Sequence, residues 1–191
     1  MKRAISMLGA LALAAGFFIA APPANAADYT GDCAGVTAFN GTGNVSITDT
    51  NCSLPVSITA SGSISISATS VSGSGKNLSG TAVTVTASGG DIEVGTVTST
   101  LNTILSGKNV KTNTISSRWG VRVTATGGTL DLTNITSNAN NESFGGNVIL
   151  TATGNIKTGN ITNGGTTTAG GIQIRANTDG TSTAFNISWV W

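Results

Sequence analysis

The sequence predicts an all-β fold, a parallel β-helix (solenoid) of about six coils with an N-terminal cap. Three observations carry that expectation. Apolar and polar residues alternate with period two, the alternation recurs at an interval of 20–30 residues, and the composition suits a narrow aliphatic core. Of 191 residues, 26 are Gly, 9% are charged, 5% are aromatic and none is His. A typical globular chain carries about a quarter charged residues, so this surface is unusual. At 39% hydrophobic the chain is too apolar for a solvated tail. The absence of His removes imidazole as base or metal ligand.

The first element is a leader. Lys2 and Arg3 precede an apolar run from Ala4 to Ala21, Pro22 and Pro23 break it, and Ala24-Asn25-Ala26 offers a small-x-small cleavage site. The expectation is a signal peptide over 1–26, cleaved after Ala26. An uncleaved anchor is the competing reading, because the run is near a spanning length of ~18 residues; the prolines and the cleavage site weigh against it. The protein is then secreted, extracellular or on the cell surface, with no integral membrane segment after cleavage. Losing Lys2 and Arg3 takes the net charge from +1 to −1, so nucleic acid is not an expected partner.

The second element is the cap, residues 27–55, with Tyr29 and Phe39. Cys33 and Cys52 are the only cysteines, and in an oxidising compartment they read as one disulfide. Closing a loop of ~20 residues would stabilise by about 3 kcal/mol. Their spacing matches no metal motif, so no metal or cofactor is expected.

The third element is the repeat, residues 56–176. Val83-Thr-Val-Thr-Ala87-Ser-Gly matches Val121-Arg-Val-Thr-Ala125-Thr-Gly, Val148-Ile-Leu-Thr-Ala152-Thr-Gly and Val56-Ser-Ile-Thr-Ala60-Ser-Gly. Two poorer copies run from Leu101 to Leu105 and from Ile172 to Ala176. With origins at Ala60, Ala87, Leu105, Ala125, Ala152 and Ala176, the steps are 27, 18, 20, 27 and 24 residues. Each coil should hold about three short strands separated by Gly-containing turns. A second strand brings in Ile64, Ile92, Val110, Leu130 and Ile156, and a third Val71, Val97, Ile115, Ile135 and Ile161. The exposed column Ser65, Glu93, Lys111, Asp131, Lys157 alternates in sign, as stacked coils require. Ser72, Thr98, Ser116, Thr136 and Thr162 should form a hydroxyl ladder. Antiparallel sandwiches also alternate, but give no reason to repeat one apolar triplet in every unit.

The last element, 177–191, is a C-terminal strand or cap in which Phe185, Ile187, Trp189 and Trp191 alternate. It is either a hydrophobic lid or an assembly strand that docks on another molecule.

The Val-x-Val-Thr-Ala-x-Gly-Gly-x-Ile-x-Val and Gly-Asn-Ile-x-Thr-Gly-Asn-Ile-Thr units resemble the repeats of filamentous-haemagglutinin-type adhesins over roughly residues 56–176. The resemblance implies a right-handed parallel β-helix, a Gram-negative bacterial source and a role in adhesion or extracellular matrix. The long secretion domain of that family, with its Asn-Pro-Asn-type signature, is not visible in 27–55.

Catalytic residues are not found, so the expectation is a protein that is not an enzyme. Some β-helices act on polysaccharide through clustered acids. The local candidates are Asp91 and Glu93, with Asp131 a coil or two away, and a laddered, solvated strand face is the alternative. Ice binding is the remaining class. The columns Thr59, Thr86, Ile104, Thr124, Thr151, Arg175 and Ser57, Thr84, Asn102, Arg122, Ile149, Gln173 are Thr-rich, but Arg122 and Ile149 spoil a paired lattice. The principal expectation is a non-enzymatic adhesin or matrix module whose partner is a surface glycan or protein receptor. The alternative is a filament subunit that stacks end to end on copies of itself.

Overall fold

The computed structural model describes residues 28–39, 41–137, 146–164 and 171–176. The expected signal peptide and the strand carrying Phe185, Ile187, Trp189 and Trp191 lie outside the described residues. Within them the chain is a parallel β-solenoid with three faces. Face A stacks β1 (Tyr29–Gly31), β2 (Val45–Thr48), β5 (Ile64–Ala68), β8 (Val83–Ala87), β11 (Asn102–Gly107), β13 (Gly120–Ala125), β15 (Val148–Ala152) and β18 (Ile172–Arg175) in that order. Face B stacks β3 (Asn51–Ser53), β6 (Ser70–Gly73) and β9 (Ile92–Val94), then the first halves of β12 (Val110–Ser117) and β14 (Leu130–Ser137), then β16 (Ile156–Thr158). Face C stacks β4 (Ile58–Thr59), β7 (Leu78–Gly80) and β10 (Val97–Ser99), then the second halves of β12 and β14, then β17 (Ile161–Asn163). At ~4.8 Å per rung, the eight strands of face A span roughly 34 Å.

Parallel pairing puts each side chain directly over its counterpart one coil away, so the interior is a set of columns. One runs Ile47, Ile66, Val85, Leu105, Val123, Leu150 and Ile174. Another runs Cys52, Val71, Ile92, Val110, Leu130 and Ile156. Except for the terminal Ile174, which is partly buried, these apolar side chains are fully enclosed. Aliphatic residues suit the place because β-branched side chains pack well on a pleated surface.

The register differs from expectation in the early coils. Ala87 stacks on Ala68, and the small-residue column reads Ala68, Ala87, Gly107, Ala125, Ala152, with steps of 19, 20, 18 and 27 residues. Ala60 belongs to face C, Leu105 stacks between Val85 and Val123, and Ile64 stacks on Val83 in face A. Val56, expected inside, is 38% exposed in a turn. Val71 stacks on Ile92, so the third-strand column begins Ile58, Leu78, Val97. The hydroxyl ladder accordingly runs Thr59, Ser79, Thr98, Ser116, Thr136, Thr162, without Ser72. All three faces share the same alternation, so local pattern alone cannot assign a strand to its face; the corner lengths do.

The last complete step is longest because residues 138–145 intervene between β14 and β15. β2 and β3, inside the expected cap, already belong to the stack. What covers the first rung is the segment around the 3-10 turn Gly35–Ala38, with Val36 buried and Phe39 against the core. The Cys33–Cys52 disulfide, with Cα atoms 5.3 Å apart, joins this segment to the first residue of a core column. Tyr29 Oη donates to the Asp32 carbonyl at 2.6 Å, and the Cys33 amide donates to Asp49 Oδ2 at 3.2 Å.

Candidate functional site

The corners of the solenoid decide which side chains are left over. Where a strand ends, a backbone N–H loses its ladder partner and needs another acceptor. Asparagine side chains supply the acceptor. Asn44 Oδ1 accepts from the Ser63 amide at 2.8 Å, Asn77 Oδ1 from Thr96 at 2.8 Å, and Asn109 Oδ1 from Thr129 at 2.7 Å. Asn134 does the same for Asn160 at 3.1 Å and Asn147 for Gly171 at 2.9 Å. Asn44 and Asn77, each the first residue of an Asn-x-Ser triplet in the sequence, thus have an architectural use.

Each acidic residue among the described ones is likewise engaged. Asp28 Oδ1 accepts from the Asn44 amide at 2.7 Å, and Asp32 Oδ1 from Gly35 at 2.8 Å. Asp49 receives the amides of Cys33 and Thr50. Asp91 Oδ1 accepts from Asn109 Nδ2 at 2.8 Å, so Asp91 and Glu93 serve different ladders. Glu93 pairs with Lys111 at 3.0 Å and Asp131 with Lys157 at 3.5 Å. The Lys111 hydrogen bond and charge hold the Glu93 carboxyl below its ordinary value, and the Glu93 hydrogen bond and charge raise Lys111. The alternating column lies on face B as expected, except that Ser72 and not Ser65 stacks on Glu93.

The outer surface of face A is different. One column reads Thr48, Ser67, Thr86, Ser106, Thr124, Thr151, Arg175, an unbroken rank of six hydroxyls ending in a cation. Ile104, expected in it, belongs to the neighbouring column Ser46, Ser65, Thr84, Ile104, Arg122, Ile149, Gln173. Paired hydroxyl ranks thus exist only over β2, β5 and β8. No Asp or Glu occurs in any face A strand, and the two charges there, Arg122 and Arg175, are both basic.

Beyond β8 the regular rank gives way to a groove. It has a volume of about 290 Å³ and is lined by Asn102, Ile104, Trp119, Arg122, Asn147 and Ile149 among others. Trp119 is 60% exposed and Leu101, one rung earlier at the same corner, 41%. One rung later the corner residue is Gly146, where a Cβ would run into the Trp119 carbonyl.

A buried hydroxyl relay holds this corner. Ser99 Oγ donates to Ser117 Oγ at 3.0 Å, so Thr103 Oγ1, also 3.0 Å from Ser99 Oγ, is the donor in its own bond. Ser117 Oγ lies 2.6 Å from the Leu101 carbonyl and 2.8 Å from that of Gly120, sharing its proton between the two sides of Trp119. All three hydroxyl residues are buried. The alternation of the sequence predicts Ser and Thr only in exposed columns, so neither the relay nor Trp119 is legible in it. The available signal was that Trp119 is the lone aromatic residue between Phe39 and Phe144.

Among the described residues no helix is long and apolar enough to cross a membrane, and no group of three or more acids or cysteines is placed to hold a metal ion. The chain matches no protein-family profile, and no characterised protein or solved structure is significantly similar to it.

Proposed function

We propose that this chain is a secreted or cell-surface, non-enzymatic β-solenoid module of the adhesin or extracellular-matrix kind, as its resemblance to filamentous-haemagglutinin-type repeats implies. The observation that carries the reading is the use of the acids. In a stack so poor in charge, each described carboxylate is tied to a corner amide, the cap or a lysine, while the described strands of face A carry no acid and their corner carries an exposed indole. General acid–base work on a glycosidic bond needs two carboxylates at a set separation facing one substrate, and Asp91 and Glu93 are engaged in separate ladders. Rigid rungs at fixed spacing suit display and binding.

Expression of the full chain in a Gram-negative host, with fractionation and N-terminal sequencing, tests this. The expected product starts at Ala27 and is found in the periplasm, on the surface or in the medium. Retention in the cytoplasm with Met1 intact would overturn the proposal. Negative-stain electron microscopy of the exported protein separates it from the filament reading. Short particles are expected, because the first rung is covered by the 3-10 turn and the disulfide; filaments one solenoid wide would make it a structural subunit.

A further inference from the structure

We infer that the groove on face A is a binding site for an acidic polysaccharide, with a sugar ring on the Trp119 indole and its carboxylate or sulfate on the Arg122 guanidinium. The inference deepens the proposed function and rests on it only for the compartment in which such a polymer is met. Four features of the site point the same way.

The indole is the first. A Trp 60% exposed on a corner whose backbone is held by a buried relay offers a large apolar plate with only two side-chain torsions to order on binding. The C–H face of a pyranose is the flat apolar surface that fits such a plate while its hydroxyls stay polar. The polar lining is the second. Asn102 and Asn147 flank the groove, and a carboxamide can both donate to and accept from sugar hydroxyls; Asn147 Oδ1 already holds the Gly171 amide, so its contribution to a sugar is chiefly as a donor.

Charge is the third. Arg122 lies between Ile104 and Ile149 in its column, and none of the described strands of face A carries a carboxylate. Arg175 stands two rungs further along, roughly 10 Å down the axis, with only hydroxyl and aliphatic side chains between. Face B, with Lys111 and Lys157 each paired to an acid, offers no such field. A guanidinium is a planar fork suited to carboxylate or sulfate. Shape is the fourth: the groove is open and follows stacked rungs, which suits a chain more than a small enclosed ligand.

The test uses the exported full-chain protein on surfaces bearing polygalacturonate, its methyl ester, dextran sulfate or neutral dextran, and on phosphatidylglycerol vesicles. Binding to polygalacturonate, dextran sulfate or both is expected, weakening with salt. Polygalacturonate alone identifies the carboxylate as the recognised group, and dextran sulfate alone identifies the sulfate. Trp119→Ala and Arg122→Gln should each weaken binding about tenfold with an unchanged thermal midpoint, since both side chains are exposed. Lys111→Gln, on face B, should leave it unchanged. The inference is overturned if no polyanion binds, if dextran or the methyl ester binds equally well, or if Lys111→Gln costs as much as Arg122→Gln. Loss of neither variant's affinity overturns it too, and binding confined to the vesicles would reassign the face to a membrane. Export with no glycan binding would remove this inference alone, whereas cytoplasmic retention would remove the proposed function.

Discussion

The early and late rungs of this solenoid are built to the same plan and differ in what they enclose. From β2 to β8 the buried side chains are aliphatic or the disulfide, the outer face carries paired Ser and Thr ranks, and a coil takes about 19 residues. Among the described residues all six buried polar ones, from Ser99 to Thr158, lie in the later rungs, as do Ile104, Trp119, Arg122 and the 27-residue step. Regular rungs need only close packing. A rung that presents a shaped corner must break that regularity, and here buried hydroxyls fix the broken corner from inside. The early rungs are scaffold, and the later ones carry the groove.

The largest test of that contrast is at the covered end. Replacing Cys33 and Cys52 together by Ala should cost about 3 kcal/mol, read as a lower denaturant midpoint, because the disulfide closes a loop of 19 residues over the core. Hydrogen exchange should rise first in β1 to β3 and leave the Trp119 corner protected, since repeat stacks couple mainly to their neighbours. Equal loss of protection throughout would erase the distinction between the two regions.

Next is the relay. Ser117→Ala removes the acceptor of Ser99 and the donor to two carbonyls, so a loss of about 1–3 kcal/mol is expected. The Trp119 fluorescence maximum should shift as the corner loosens. An unchanged midpoint would mean that the hydroxyls follow the corner and do not hold it.

Thr112 should behave in the opposite sense. Its hydroxyl is buried in the column Val94, Thr112, Leu132, Thr158 and has no hydrogen-bond partner. Thr112→Val keeps the shape and removes an unsatisfied polar atom, so a gain of about 1 kcal/mol is expected. A loss would show that an internal water serves that hydroxyl.

The smallest effect is the face B ion pair, which is exposed on both sides. The lowered Glu93 value makes its contribution full above the ordinary 4.5 and lost as pH falls through the folded value. The raised Lys111 value makes its contribution full below the ordinary 10.5 and lost as pH rises through the folded value. Lys111→Gln should therefore lower the thermal midpoint slightly near neutral pH in low salt, and not at all in acid. A difference persisting in acid would assign the effect to packing of the lysine stem.

The solenoid, its three strands per coil, the alternating charges and the cysteine pair were legible in the residues themselves, and the reason is physical. Strand alternation and the stacking of like positions are local and periodic, so they leave a trace in the linear order. In the later coils, Val97, Ile115, Ile135 and Ile161 stack as read. The early register was not legible: Val56 to Ala60 copies the pattern of Val83 to Ala87 yet turns a corner and lies on another face. The groove was illegible for the same reason, since Asn102, Trp119, Arg122 and Asn147 come from three coils and are neighbours only after stacking. The sequence alone determined what repeats. The tertiary structure decided which face each repeat joins and which side chains the corners leave over, because both depend on turn lengths and on hydrogen bonds between coils about 20 residues apart.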